Sequence, residues 1–277
     1  MMTESVVLSL YFETPLHAGA SGTLGAVDLP IQRERTTQWP TIPAGDVRAS
    51  LRKAMAGAGE DTLAKLFGDG DADASLSLGD ARLLFFPVRS SVAPFVWITC
   101  PAALARLRRD LERTVGVQLP AVPAPANEEI LVGAAWNHGS DAFALEDAVV
   151  TPKPGLELPS IAQLLPATSS AYEGFARELE SSVGIVSDEL FGFLVRTAVE
   201  ISPVASSGAV AYQEMMPADA LFYVPVAGLG APAKGKKQSA TQLLEKNLPS
   251  HVQFGADAQL GRGWARMHVL KAQGGTP

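Results

Sequence analysis

The chain has 277 residues, of which 22 are Lys or Arg and 29 are Asp or Glu, so its formal net charge is −7 at pH 7. With 47% hydrophobic and 18% charged residues, the composition excludes a disordered tail and a coiled coil. The single cysteine, Cys100, excludes an internal disulfide framework and a multi-cysteine zinc site. Residues 1–10 do not resemble a secretory signal, and no apolar run approaches ~20 residues, so we expect a cytoplasmic protein without a membrane span.

Basic residues concentrate in four places along this acidic chain. The overall charge argues against nucleic-acid binding, because proteins that neutralise phosphates usually carry a net positive charge. The four clusters comprise Arg33, Arg35, Arg48, Arg52 and Lys53; Arg106, Arg108, Arg109 and Arg113; Lys234, Lys236 and Lys237; and Arg262, Arg266, His268 and Lys271. An acidic body with basic patches is therefore still compatible with RNA binding on one face.

The first half of the chain predicts alternating strands and helices. Apolar residues alternate over residues 6–12, which predicts a strand with one buried face. Residues 17–43 follow as a segment rich in glycine and proline, too long and irregular for a simple connection. The next predicted elements are a helix at 44–55, a helical turn at 62–67, strands at 81–88 and 95–99, and a helix at 101–115. This order favours an α+β, ferredoxin-like fold, whose sheet face binds RNA in RRM-type domains.

The second half predicts a less regular pattern of the same class. Residues 119–125 are rich in Pro and Ala and indicate a linker or surface excursion, and residues 130–150 are interpreted as a hairpin around a turn at 137–140. Helices are predicted at 170–181, 187–194 and 241–248, and strands at 184–186, 197–204, 208–213, 220–226, 252–254 and 263–270. Ser187 is the expected N-cap of the second of these helices.

Three segments carry residues suited to chemistry. The first runs from His17 to Arg35 and continues at residues 43–52. The second covers residues 210–217 with 220–222, and the third covers residues 252–263. Together, in this order and over nearly the whole chain, they resemble the RAMP superfamily of CRISPR proteins, and most of all the backbone subunits of type III-B (Cmr) effector complexes. Two positions depart from the family pattern: Ala256 replaces the second glycine of a doublet, and Gln213 replaces an acid.

The resemblance implies an architecture and a function. It implies one RAMP domain over residues 1–277, with an RRM-like palm, an inserted loop region at 14–43 and a projecting β-hairpin thumb at 195–216. A subunit of this kind binds a guide crRNA and cleaves the complementary target RNA with a divalent metal ion, magnesium or manganese. The implied partners are the guide, the target, further copies in a helical filament and the other Cmr subunits, with no membrane.

Asp28 is the catalytic residue that the resemblance implies. RNA backbone cleavage requires the 2′-hydroxyl to lose its proton and to be aligned with the adjacent phosphorus. An ordinary aspartate, with a pKa of about 3.9, is a weak base for a ribose hydroxyl. A metal-holding or orienting role therefore suits Asp28 better than general-base catalysis. The alternative is a carboxylate that stabilises a turn, since Asp28 stands just before Leu29-Pro30 in a loop.

Further residues are candidates for RNA contact. Arg48 and Arg52 lie four apart on one helix and could bind successive guide phosphates, or they could form a solvated helix face. For His17 we weigh proton transfer against a hydrogen bond to backbone or phosphate, and we assign it to RNA contact. The other candidates are Arg33 and Arg35, and Gly261, Arg262 and Gly263, where glycine would allow close approach of the guide backbone or simply form a turn.

The predicted hairpin at 197–213 occupies the place of the family's thumb, which inserts into the guide–target duplex. Apolar groups must offset the cost of separating base steps. Candidates are Ile201, Pro203, Val204, Met215 and Met216, although ordinary strand packing would account for them equally well. Tyr212 and Glu214 are predicted near the cut site. The Arg106–Arg113 cluster is interpreted as a solvated helix surface, and Lys234–Lys237 as a loop.

Three other functions are considered. A filament subunit without cleavage activity is disfavoured by the presence of Asp28. A RAMP ribonuclease that trims the guide precursor would need a His or Tyr acid–base pair and would act alone. A small-molecule enzyme using the loop from Gly19 is disfavoured, because the glycines at 19, 22 and 25 fit no phosphate-loop spacing and no Lys-Ser/Thr pair follows.

Overall fold

A computed structural model describes residues 2–19, 27–69, 73–156, 172–206, 209–229 and 238–271. Its strands are β1 (Met2–Phe12), β2 (Thr41–Ile42), β3 (Leu76–Leu78), β4 (Ala81–Arg89), β5 (Phe95–Thr99), β6 (Glu129–Gly133), β7 (Phe143–Leu145), β8 (Ala148–Leu156), β9 (Val183–Ile185), β10 (Glu200–Ser206), β11 (Ala209–Met215), β12 (Leu221–Leu229), β13 (His251–Gln253) and β14 (Trp264–Leu270). Its α-helices are α1 (Ala44–Ala54), α2 (Glu60–Phe67), α3 (Pro101–Val115), α4 (Glu173–Ser182), α5 (Asp188–Thr197) and α6 (Ala240–Asn247).

The ferredoxin-like part of the fold is assembled from both ends of the chain. β1 is antiparallel to β14 on one side and to β12 on the other, and β12 pairs with β4. In chain order these elements form β1-α1-β4 and β12-α6-β14, two βαβ units in one sheet. The α+β, ferredoxin-like class is therefore confirmed. The expectation that the first half carries the pattern by itself is wrong, because its last strand and helix are replaced by elements more than 120 residues later.

Both faces of this sheet are buried. On one face Leu8, Leu10 and Phe12 of β1 belong to the same apolar cluster as α1 and α6. The alternate residues Val7 and Tyr11 face the opposite side, where they pack with the apolar stripe of α3. The sheet face that binds RNA in RRM-type domains is thus covered by α3 in this chain and is not available to RNA.

The sheet continues beyond β4 through strands whose pairing differs from the pairing predicted from the sequence. β5 pairs in parallel with β9, β9 is antiparallel to β6, and β6 is parallel to β8. The hairpin predicted at 130–150 is therefore wrong. The tight turn lies at Glu146-Asp147 between β7 and β8, with Glu146 at φ 49°, and the 137–140 segment is part of the connection to β7.

Most other predicted elements are confirmed. α3 has the predicted bounds, and the hydroxyl of Ser187 accepts a hydrogen bond from the Leu190 N–H at 3.1 Å as the N-cap of α5. The strands predicted at 197–204 and 208–213 form the antiparallel hairpin β10–β11, although residues 195–197 still belong to α5. The domain boundaries implied by the resemblance remain a prediction. In the part of the chain that the structure describes, no helix is long and apolar enough to cross a membrane.

Candidate functional site

Asp28 lies beside the middle of β11 in the β10–β11 hairpin, and the next residue, Leu29, forms an isolated parallel bridge with Gln213 of this strand. Its Oδ2 accepts a hydrogen bond from the Tyr212 N–H at 2.8 Å. The Leu29 N–H donates to the Tyr212 carbonyl at 3.1 Å, and the Glu214 N–H donates to the Leu29 carbonyl at 2.9 Å. Asp28 is exposed, and its segment is held on β11 by this side-chain hydrogen bond and by the two backbone hydrogen bonds of Leu29.

Glu214 and Arg33 fix this docked segment from beneath. The buried Glu214 carboxylate accepts from the Ile31 N–H at 2.9 Å and forms an ion pair with Arg33. Arg33 also donates to the carbonyls of Val195 and Gln38, each at 3.0 Å. Both residues were predicted for the site, Arg33 as an RNA contact and Glu214 near the cut. In the structure their side chains position the Asp28 segment, and their roles toward RNA stay predictions.

His17 is buried against the same strand. Its Nδ1 lies 2.8 Å from the carbonyl oxygen of Glu214, which can only accept, so Nδ1 carries the proton and neutral His17 has an unprotonated Nε2. That nitrogen faces Gly19, where an added Cβ would lie 2.7 Å away. His17 therefore makes the hydrogen bond to backbone that the sequence analysis weighed against proton transfer.

A polar cluster links the hairpin to the C-terminal loop. Gln213 donates to Asp257 Oδ2 at 2.9 Å and accepts from Arg262 at 2.8 Å. Arg262 also forms an ion pair with Asp257 at 3.3 Å, so its guanidinium binds protein groups rather than facing solvent. Burial raises the pKa of Glu200 on the same face of the hairpin, and the positive charge of Arg262 opposes that shift.

The glycines of the 252–263 segment serve the packing of this loop. Gly255 has φ +69°, and an added Cβ would collide with the carbonyl oxygen of His17. Gly263 has φ +73°, and its Cβ would collide with the carbonyl oxygen of Phe254. Gly261 also has positive φ but faces open space. Of the three residues predicted to approach RNA here, Gly261 is the one whose surroundings leave room for a phosphate.

The arginines on and near α1 divide into paired and unpaired groups. Arg52 donates to the Gly68 carbonyl at 3.0 Å and forms an ion pair with Glu60 at 3.0 Å. Arg48 and Arg35 are exposed, and their side chains make no hydrogen bond or ion pair with any residue that the structure describes. Arg48 and Arg35 are therefore free to bind an anion, and Arg52 is committed to holding α2 on α1.

Two interpretations of surface residues are wrong in part. Met215 and Met216 are buried in the core and cannot wedge into a duplex, whereas Ile201 is exposed. Arg106 is not simply solvated, because it forms an ion pair with Glu34. Exposed Tyr212 projects from the hairpin beside the Asp28 segment. The cluster Lys234, Lys236 and Lys237 lies outside the described residues.

The donors around Asp28 limit how a metal ion could be held. Among the described residues, no group of three or more His, Cys, Asp or Glu side chains is arranged to bind a metal. The carboxylates of Glu214 and Asp257 are occupied by the protein contacts above. Mg²⁺ is commonly bound by one or two carboxylates together with phosphate oxygens and water. Asp28 fits such an ion when RNA phosphates and water supply the other ligands.

Comparison with known proteins gives a full-length match. No family model matches the chain. The CRISPR system Cmr endoribonuclease Cmr4 of Pyrococcus furiosus is 28% identical over 299 aligned positions, covering 99% of each chain. The chain is therefore similar to Cmr4 along its whole length.

Solved structures agree with this relationship at the level of the fold. A crystal structure of oligomeric Cmr4 from Pyrococcus furiosus matches this chain with a TM-score of 0.74 and 24% identity, covering 98% of this chain and 100% of the other. A type III-B Cmr-beta complex bound to cognate target RNA contains a chain that matches with a TM-score of 0.72 and 15% identity, covering 97% of this chain and 98% of the other. The similarity in fold thus extends over nearly the whole chain.

The sequence patterns did not predict how the fold holds Asp28. They identified Asp28, Tyr212 and Glu214 separately, but not the parallel docking that joins them across more than 180 residues. They also missed Asp257 as a partner of Arg262. The spacing Asp257-x₄-Arg262 around glycines offered a local signal, because an acid and a base that close a tight loop commonly pair.

Proposed function

We propose that this chain is the guide-RNA-binding backbone subunit of a type III-B CRISPR effector complex and that it cleaves the target RNA paired to the guide. The observation that carries the proposal is an exposed carboxylate, Asp28, rigidly docked on a hairpin in a chain related to the Cmr endoribonuclease over its full length. Preorganised groups of this kind contribute to catalysis because they need no rearrangement during the reaction.

Asp28 acts on the RNA from a fixed position. The Tyr212 N–H holds Oδ2, and Oδ1 makes no hydrogen bond with the described residues, so this oxygen is available to the substrate. We assign Asp28 to orienting the 2′-hydroxyl and the scissile phosphate, together with a magnesium or manganese ion held by this carboxylate. When bound, the ion would stabilise the negative charge that develops on the phosphate.

RNA binding is assigned to the cations that protein groups leave free. Arg48 on α1 and Arg35 near the Asp28 segment are exposed, and guanidinium groups bind phosphates in a bidentate manner. Gly261 offers an open loop with positive φ at the other side of the site. The guide and the complementary target are the proposed ligands, and a crystal structure of oligomeric Cmr4 supports further copies of this chain as partners.

The complex is proposed to assemble as a cytoplasmic filament. Contacts between copies that do not close generate open helices, and other Cmr subunits would end the filament. Since the described residues of one copy provide a single free carboxylate at the site, the guide–target duplex and neighbouring copies would complete it. An isolated copy is therefore expected to cleave poorly.

The experiment assembles the chain with its partner subunits and a guide, and adds labelled RNA. We expect cleavage of complementary RNA at regular intervals in Mg²⁺ or Mn²⁺, no cleavage of unrelated RNA, and loss of cleavage in EDTA. Restoration by either ion after chelation would identify the metal requirement. Tight guide-dependent binding without products under any of these conditions would leave a scaffold and refute the proposed activity.

A further inference from the structure

A polar cleft of about 600 Å³ opens between residues 32–43, the start of β4 and helix α3. It collects five of the fourteen arginines in the chain, namely Arg33, Arg35, Arg82, Arg106 and Arg109. Two acids, Glu34 and Asp80, also line it, and two further acids, Asp110 and Glu214, pair with Arg82 and Arg33, which leaves an excess of one positive charge. In a chain with a net charge of −7, so many arginines at one concave surface indicate a site for an anion.

Three of these arginines are held in place by carboxylates. Arg106 binds both oxygens of Glu34, the second at 3.1 Å, and its guanidinium lies 5.2 Å from the centre of the Trp39 ring. Arg82 forms an ion pair with the buried Asp110. Arg33 forms its ion pair with Glu214, as described above. These contacts fix the walls of the cleft before any ligand arrives.

The other two arginines have no such partners. Arg35 is exposed on the turn that forms one wall, and Arg109 is exposed on α3, which forms the other. Neither side chain makes a hydrogen bond or an ion pair with a described residue. Each guanidinium offers five donors in a planar fork that matches two oxygens of a phosphate. Two free guanidinium groups on facing walls suit a ligand that carries more than one phosphate.

We propose that this cleft binds the phosphodiester backbone of an RNA strand. The inference rests on the proposed function and extends it to α3, whose arginines were interpreted from sequence as a solvated surface. An RNA strand is favoured because the cleft adjoins the Asp28 segment: Arg33 lines the cleft, and its partner Glu214 binds the Ile31 N–H, three residues from Asp28. A strand that passes Asp28 can therefore continue into the cleft.

The test measures binding of fluorescently labelled single-stranded RNA to the full-length chain by anisotropy over a range of salt concentrations. Arg35→Ala and Arg109→Ala should each lower the affinity by about tenfold. Each should also reduce the slope of log K against log salt by about 0.7, the value for one phosphate contact to a single strand. Arg108→Ala is the matched control, because Arg108 is exposed on the same helix but does not line the cleft.

The other outcomes overturn the inference in distinguishable ways. If Arg109→Ala and Arg108→Ala bind RNA with equal affinity while Arg48→Ala binds it more weakly, the cleft does not bind RNA. The proposed function would then still stand. If the unmodified chain does not bind RNA, both the inference about the cleft and the proposed function are refuted. If Arg35→Ala and Arg109→Ala preserve RNA affinity but abolish self-association, the cleft binds an acidic surface of another copy. If these variants lose pyrophosphate binding but keep their RNA affinity, the cleft binds free phosphates and not RNA.

Discussion

Asp28 combines an exposed side chain with a backbone that cannot move freely. Its carboxylate accepts a hydrogen bond from the strand to which its own segment is attached, and Glu214 and Arg33 support that segment from below. An asparagine oxygen can accept the same Tyr212 hydrogen bond. Asp28→Asn therefore removes the negative charge while leaving the local structure intact, which makes it a clean probe of chemistry.

Gly255 tests whether the C-terminal loop is packed as tightly as the structure shows. Gly255→Ala and Gly261→Ala both place a side chain at positive φ, which costs about 1–2 kcal/mol. Gly255→Ala must also displace the carbonyl of His17, and we expect a further loss of about 1–3 kcal/mol in the free energy of unfolding. Urea denaturation of both variants measures the difference, and equal losses would contradict the close packing against His17.

At the scale of single residues, the sequence predicted which side chains lie close together better than it predicted their contacts. Asp28, Glu214, Arg33 and Arg262 all lie at the site. The contacts that turn Glu214 and Arg33 into supports, however, join residues 181 apart in the chain. No spacing rule encodes such a pair, because it depends on where the hairpin docks. Arg48 and Arg52, four apart on one helix, are distinguished only by α2, which supplies partners to Arg52.

Helix α3 is the element that covers the sheet face. Its Asp110, which is mostly buried, accepts a hydrogen bond from the Tyr223 hydroxyl at 2.9 Å and forms an ion pair with Arg82, so one carboxylate ties α3 to β12 and β4. Burial, together with the negative charge of Asp110, raises the pKa of Tyr223, which keeps the hydroxyl protonated as a donor.

Removing this carboxylate should loosen α3. Asp110→Ala leaves Arg82 without its ion-pair partner and is expected to lower the free energy of unfolding by roughly 3 kcal/mol. Tyr223→Phe removes one hydrogen bond while the ion pair persists, and it should cost about 1 kcal/mol. Thermal unfolding of the two variants provides the measurement. A loss for Asp110→Ala no larger than that for Tyr223→Phe would show that the ion pair contributes little.

Helix α1 offers a comparison between a free and an engaged arginine. Arg48→Ala should weaken guide binding and reduce its salt slope by about 0.7, because one phosphate contact to a single strand is lost. Arg52 is committed to Gly68 and Glu60, so Arg52→Ala should affect guide binding less and thermal stability more. Guide titrations at several salt concentrations test this order. If Arg52→Ala has the larger effect on the slope, α1 binds the guide through a different face.

The elements themselves were largely predictable, since amphipathic periodicity and caps are local. The bounds of α3 and the cap of α5 follow from Pro101 and Ser187. Strand pairing was less accessible. β6 and β8 are parallel neighbours, with β7 paired to the far side of β8, and a sequence pattern cannot distinguish that arrangement from a simple hairpin.

At the scale of the whole molecule, the central sheet unites both ends of the chain. β1 lies between β14 and β12, so residues near 10 pair with residues near 222 and 267. The intervening β5–β11 region contributes α3, α5 and the hairpin, which place Asp28 and cover the sheet. The ferredoxin-like class could be predicted from the order of the elements and from the resemblance. The division of its four sheet strands between the two ends of the chain could not be predicted, because each half alone has an order of strands and helices like part of that fold.

The described residues of one copy provide Asp28 as the free carboxylate of the site, and this is consistent with activity that depends on assembly. A guide–target duplex would bring phosphates and bound metal to Asp28, and a second copy would bring further groups. The central claim is that Asp28 performs the chemistry once this assembly exists.

The most direct test is cleavage of labelled complementary RNA in Mg²⁺ by assembled complexes that differ at one carboxylate. We expect regularly spaced products from the unmodified complex and no products from the Asp28→Asn complex, with guide binding unchanged. Asp61→Asn, an exposed aspartate in the first turn of α2, is the matched control and should cleave normally. Products from Asp28→Asn at the unmodified rate would contradict the assignment of catalysis to Asp28.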